Sequence, residues 1–340
     1  MAMIVWMAAD TRAQSCSQLL RLARATYEQG RLHEVAALFD GKDCLTTTAD
    51  GGGLSKTEKV EAYRLLTLTY IYLEEPEKAD DAMLSLLRTD NYFEPNPAID
   101  PAEFLGLYNT FRTWPIYRLG VRLGTAYTTP NVKESNPVIN GDATYQSRLS
   151  FIVGATGEIP LDRYGKFTFN PELYFAQRSY AAEVNSPGVG VYTGITRIST
   201  LAVPLSVQYA LFKEKTKFNP YLLAGVWTDI IFSGQTASST IRSGNESIIE
   251  QSIDIKDQLK PISIAPQLGA GVKYRAAGGY LTAEVRYLYG VNAITTNVYN
   301  NQALIWDYHW ADGVNRLSSW QLTVGYVQNF FNPKKLSSKK

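Results

Sequence analysis

The chain has 340 residues and a formal net charge of +1, with 33 Lys and Arg against 32 Asp and Glu. That balance excludes nucleic acid as the main partner, which would call for a basic excess. No run of about 18 apolar residues occurs, which excludes a transmembrane helix but not a membrane-spanning sheet of alternating strands.

Residues 1–15, "MAMIVWMAADTRAQS", have the form of a residual signal peptide. A short apolar stretch, Met3 to Ala9, precedes a small-residue site at Ala13-Gln14-Ser15. The alternative is an irregular N-terminus. Only two cysteines follow, Cys16 and Cys44. In an exported chain they most simply form one disulfide, closing a loop worth about 3–4 kcal/mol on the chain-entropy account. The competing reading makes Cys16 a lipidated N-terminus.

Residues 16–112 carry helical periodicity. Leu19, Leu22, Ala23 and Tyr27 share a first stripe, and Leu32, Val35, Ala36 and Phe39 a second. Ser55-Lys56-Thr57-Glu58 has the form of a capping box and starts a third helix. Pro76 opens a fourth, and Asp100-Pro101 is expected to cap a fifth. "TYEQGRLHEVAALF" (Thr26 to Phe39) lies over "IYLEEPEKADDAML" (Ile71 to Leu84), matching Tyr27 with Tyr72 and Ala37 with Ala82. This resembles a pair of tetratricopeptide-type repeats. The resemblance implies a concave groove for a protein partner, with a compact helical plug as the alternative.

Across Trp114-Pro115 the period changes from 3.6 to 2. Residues 114–331 hold eight alternating segments, beginning with Tyr117, Leu119, Val121, Leu123 and Tyr127 on one face. The opposite face carries Arg118, Gly120, Arg122 and Gly124. The fifth segment, Tyr221 to Phe232, is apolar on both faces and its register is open.

Alternation alone does not say which face is outside, and a soluble lipocalin-like barrel is the rival. Three features favour lipid on the apolar face. The polar face is rich in small residues with isolated ions, which suits a narrow lumen. No charge falls on the apolar face of the seven segments with clear register. The connections alternate short ("LDRYGK", "FKEKTKFNP", "RAAGG") and long, up to Ser233–Pro261, as in outer-membrane barrels with short periplasmic turns.

The expected architecture is therefore α+β and multidomain: an N-terminal helical module, tetratricopeptide-like, then an eight-stranded antiparallel transmembrane β-barrel. A basic tail, residues 332–340, follows. Trp114, Tyr117, Phe212, Tyr221, Tyr280 and Phe330 are expected at the inner interface, and Tyr127, Tyr180, Tyr289 and Trp320 at the outer one. Arg118, Arg122, Arg148, Glu172, Arg178, Glu284 and Arg286 are expected to form an ion-pair network in the lumen. With short turns inward, the helical module and the tail are expected in the periplasm. "DPAEFLGLYNTFRTWP", "LAVPLSVQYALF" and "FNPYLLAGVW" resemble the PorT-like outer-membrane barrels of Bacteroidota, specifically those bearing an N-terminal tetratricopeptide-like region. The resemblance implies a place in envelope secretion or gliding.

Neither metal-ligand spacing nor a nucleotide-binding glycine pattern occurs, so no cofactor is expected. The partners expected are outer-membrane lipid and a periplasmic or outer-membrane protein held by residues 16–112. "WDYHWADG" places Trp306, Tyr308, His309 and Trp310 on an aromatic outer loop. His309 beside Asp307 and Asp312, with Ser318 near, is the material for a small hydrolase site. Three functions follow: a non-enzymatic scaffold, an outer-membrane enzyme at His309, or a surface-ligand barrel using its long loops.

Overall fold

The structure, a computed structural model, describes residues 16–40, 43–48, 52–134, 143–162, 165–186, 190–212, 216–242, 247–276, 278–296, 305–306 and 312–336. The signal-like residues 1–15 lie outside that set, as do Tyr308, His309 and Trp310. The chain divides into two compact units, Met1–Pro115 with Phe331–Lys340, and Ile116–Phe330.

In the first unit the described helices are α1 (residues 16–28), α2 (Leu32–Phe39), α3 (Lys56–Tyr72), α4 (Pro76–Thr89) and α5 (Ala102–Asn109). Gly30, at φ +75°, makes the left-handed turn between α1 and α2 that a side chain would resist. Ser55 and Glu58 close a reciprocal capping box at the start of α3. The Ser17 hydroxyl of α1 donates to Glu58 Oε1 at 2.6 Å. That bond, followed by those from Ser55, holds the Glu58 carboxyl below the usual glutamate range. The contact therefore supports the fold above that range and weakens as pH falls below it.

Cys16 is bonded to Cys44, with Cα atoms 5.6 Å apart, so the sulfur that a lipid anchor would need is occupied. Around the bridge pack Leu20, Ala23, Val35, Phe39 and Leu66. A second cluster joins Met83, Leu86 and Leu87 of α4 to Phe104 and Tyr108 of α5.

Two details differ from the sequence expectation. Asp100 does not cap α5, whose N-cap is Pro101. Its buried carboxylate instead binds the Arg64 guanidinium and accepts the Asn96 N–H at 2.7 Å. An acceptor with a guanidinium in reach is better satisfied there than by one helix amide. The tail, in its described part, is an extended strip on this unit rather than a free end. Phe111 bridges Lys335, Arg112 N–H donates to Lys334 O at 2.9 Å, and Leu336 N–H to Thr110 O at 2.8 Å.

The second unit is one antiparallel sheet made of β1 (Tyr117–Glu134), β2 (Thr144–Pro160), β3 (Phe167–Ser186), β4 (Gly190–Ala202), β5 (Leu205–Ala210), β6 (Phe218–Arg242), β7 (Ser247–Asp254), β8 (Ile262–Ala276), β9 (Gly279–Leu288) and β10 (Val314–Phe330). The sheet closes because β1 pairs β10 along its whole length, from Tyr117↔Phe330 onward. β4 and β5 are one stave interrupted at Pro204, which has no N–H for the ladder. Both halves sit between β3 and β6. β7 lies off the ring and pairs with the far part of β6. Eight staves therefore form the described ring, a closure that leaves no edge for lipid to face.

Several staves are far longer than a bilayer requires. β6 has 25 residues and β3 has 20, whereas a tilted strand crosses in roughly 9–11. Much of the expected long connection Ser233–Pro261 is thus β6 continuing into a hairpin with β7. The overshoot is on the side away from the short connections.

The outward face of the crossing segment is apolar. Val153, Leu123 and Val324 form one cross-strand row, each 48% exposed or more. Leu149, Leu201, Leu222, Leu268, Leu281 and Leu322 continue the belt. Among the described residues, exposed charges on these strands begin at the far margin of the belt, at Arg148, and continue beyond it at Lys133, Glu183 and Arg197. A band of exposed leucine and valine this large is a lipid surface, because water would not tolerate it on a monomer.

The aromatic expectation is corrected in part. Tyr117 and Phe330 stack at 5.0 Å, and Phe212, Tyr127, Tyr289 and Trp320 are exposed. Tyr180, Tyr221 and Tyr280 are buried in the lumen instead. Each shares the parity of a lumenal ion on its own strand (Arg178, Asp229 and Glu284), and period 2 sends them the same way. Trp114 belongs to the helical unit.

Candidate functional site: the packed lumen

Because odd staves run away from the short turns, residue number along β1, β3 and β6 measures depth in the lumen. The first layer is ionic. Glu158, fully buried, accepts from Arg118 Nη1 at 3.0 Å, Lys273 Nζ at 2.5 Å and Arg122 Nη2 at 3.5 Å. Arg122 Nη1 also reaches Glu172 at 2.9 Å and Glu284 at 3.2 Å. Arg286 grips Glu172 with both terminal nitrogens, at 2.5 and 2.8 Å, and pairs with Glu284 through Nε. Tyr174 and Tyr221 donate hydroxyls to Glu172 and Glu284 at 3.0 and 2.7 Å. Four cations thus interleave with three carboxylates, each carboxylate holding at least two charged partners. Such pairing is what lets charge persist away from water.

The next layer is apolar. Tyr174 and Trp227 stack at 5.5 Å among Ala126, Ile152, Ala176 and Leu288. Above it Arg178 binds Asp229 at 3.0 Å and Ser319 at 2.7 Å, while Asp229 also accepts from Trp227 Nε1 and Thr200. The far end is filled by Val184, Tyr192, Ile198, Ile231, Ile253, Ile255, Leu259 and Ile294. There Asp312 accepts from Tyr180 at 2.5 Å, Tyr145 at 3.2 Å and Asn315 at 2.7 Å.

The described lumen is consequently a stack of filled layers, with cavities of about 20 and 10 Å³, room for single waters. It has the character of a packed core rather than a diffusion path, as eight staves dictate. Among the described residues no three His, Cys, Asp or Glu side chains converge as metal ligands.

Of the seven lumenal ions expected from sequence, the structure brings Arg118, Arg122, Glu172, Glu284 and Arg286 into the first layer. Arg178 stands in a separate one. Arg148 is exposed and does not join, since β2 shifts register against β3 between Ser147 and Ile152. The sequence reading missed Glu158, Lys273 and Asp229. Glu158 shares the parity of Ser150 and Thr156, so period 2 already pointed it inward. Asp229 was hidden because its strand is apolar on both faces. Trp306, of the expected outer-loop surface, is exposed.

A closed antiparallel ring, lipid-facing outside and ion-paired inside, defines an integral membrane β-barrel. The chain belongs to the outer membrane protein beta-barrel domain family, whose model matches residues 116–296, and its barrel is accordingly one of the bacterial outer membrane. No curated protein matches it. Among solved structures it is similar to the outer membrane protein OprG of Pseudomonas aeruginosa, at 16% identity over 64% of this chain and 98% of that one, TM-score 0.37. It is similar to Ail, the attachment invasion locus protein of Yersinia pestis, at 13% identity over 62% and 98%, TM-score 0.29. The outer membrane protease OmpT of Escherichia coli is matched at 11% identity over 63% and 96%, TM-score 0.35. These likenesses carry nothing about activity.

Proposed function

We propose that the barrel is a non-enzymatic anchor that holds its helical module in the periplasm, as a scaffold or accessory subunit of an envelope complex serving secretion, gliding or outer-membrane assembly. One observation carries the reading: the chain passes between its two units at Pro115–Ile116 and Phe330–Phe331, where β1 begins and β10 ends, the end with the short connections. Short turns are periplasmic in this class of barrel. The layered lumen supports an anchor over a channel. The two helical hairpins α1–α2 and α3–α4, with their tetratricopeptide-like pattern, supply the partner-binding part.

A second reading, a surface-ligand barrel, draws on the β6–β7 hairpin that overshoots the belt. One experiment separates the two. A photo-crosslinking amino acid is placed at Tyr72, exposed on the helical unit, or at Trp306, exposed beyond the strands, in the full chain in native outer membranes. The scaffold reading expects a defined envelope protein captured from Tyr72 and not from Trp306. Capture from Trp306 alone would transfer the function to the outer loops.

A further inference from the structure

The helical unit carries two depressions, of about 510 and 360 Å³, that share Tyr70 and Glu75 as a common wall. Both lie in the size range of sites that hold a ligand or a short peptide. The smaller has a mainly apolar lining that includes Ile71 and Leu107, and the larger adds Leu66 and Leu73 to a more polar lining. Among the described residues their linings carry five carboxylates, Asp40, Glu74, Glu75, Asp80 and Glu103, against Lys78, Lys335 and His33. Lys78 Nζ already lies 5.6 Å from the centre of the Tyr70 ring, so that ring works as a cation platform.

The chain itself shows what such a lining accepts. Lys335 lines the smaller depression and its ammonium pairs with Asp80. It arrives on an extended strip held by main-chain bonds to Thr110 and Arg112. Beyond that contact the carboxylates of Asp40, Glu74 and Glu103 are exposed.

We propose that this double groove binds an extended, lysine-bearing peptide segment of a partner protein. Its apolar side chains would lie on Leu66, Leu73 and Leu107, with its ammonium groups on Asp40, Glu74 and Glu103. The binding mode repeats what Lys335 does in cis, and charge complementarity selects the partner. The inference rests on the scaffold reading and gives that partner its chemistry.

The test uses the full chain in nonionic detergent micelles with two fluorescein-labelled peptides, Ac-AKLAKLAK-NH2 and Ac-AELAELAE-NH2, followed by anisotropy. The lysine peptide is expected to bind at least tenfold tighter than the glutamate peptide. Asp40→Asn, Glu74→Gln and Glu103→Gln together are expected to weaken it at least tenfold. These are isosteric changes at exposed positions, and unchanged circular dichroism confirms the fold. Equal binding of the two peptides, or lysine-peptide binding that survives the triple variant, overturns the proposal. If Tyr72 still captures its envelope protein from the triple variant, the groove is overturned and the scaffold reading survives. If the lysine peptide behaves as expected while Tyr72 captures nothing, the groove stands and the scaffold reading fails.

Discussion

Glu158→Gln is expected to cost the barrel about 3–5 kcal/mol, the range for removing one partner from a buried ion cluster. Glu158 is fully buried and is the shared acceptor of Arg118, Arg122 and Lys273. Without it the layer holds four cations against Glu172 and Glu284. The adjoining cavity, about 20 Å³, has room for a single water, too little to screen them. The penalty belongs to the uncompensated charge rather than to a lost contact. Adding Lys273→Met to the same chain should therefore restore at least half of the loss. Urea unfolding from micelles, read by tryptophan fluorescence, measures both variants. A loss below about 1 kcal/mol for Glu158→Gln would mean the layer is hydrated, and the packed-lumen account would be wrong.

Leu123→Arg is expected to cost about 2–4 kcal/mol in lipid, the penalty for arginine near the bilayer midplane. Leu123 is 60% exposed and stands between Val153 and Val324 in the middle of the apolar row. Thr129→Arg lies on the same face of the same strand, beyond Tyr127, and should cost less than about 1 kcal/mol. The contrast is the informative quantity, because strand propensity and turn effects are common to both. Equal costs would mean that water rather than hydrocarbon meets the belt.

Period 2 made most of the barrel wall legible in the sequence. It assigned Leu119, Val121 and Leu123 to one face and Arg118 and Arg122 to the other without reference to any partner strand. Where it was set aside, the reading failed. Tyr180, Tyr221 and Tyr280 looked like girdle residues because they lie near strand ends, yet their parity matches Arg178, Asp229 and Glu284, and they are buried. β6 was opaque for a different reason. Leu223, Trp227 and Ile231 fill the lumen, so hydrophobicity no longer distinguishes inside from outside on that stave.

Depth is the quantity a sequence does not carry. The ionic layer sits next to an apolar one, and only pairing across strands reveals that Glu158 and Lys273 meet. Arg148 shows the converse, since a shift of pairing between Ser147 and Ile152 sets it apart from the ions it resembles. In the helical unit the capping box at Ser55 and the Cys16–Cys44 bridge were readable locally, the first from spacing and the second from a count of two. The strip from Asn332 to Leu336 was not, because its partners Thr110 and Arg112 lie more than two hundred residues earlier.

Residues 116–330 form the outer-membrane barrel, and the helical unit is proposed to lie on its periplasmic side. Three single-cysteine additions test it: Lys256→Cys beyond the belt, Lys217→Cys in a short connection, and Glu77→Cys on α4, all exposed positions. Whole cells are treated with a membrane-impermeant maleimide before and after permeabilising the outer membrane. The account predicts labelling of Lys256→Cys in intact cells, and of Lys217→Cys and Glu77→Cys only after permeabilisation. Labelling of Glu77→Cys in intact cells, with Lys256→Cys protected, would contradict it.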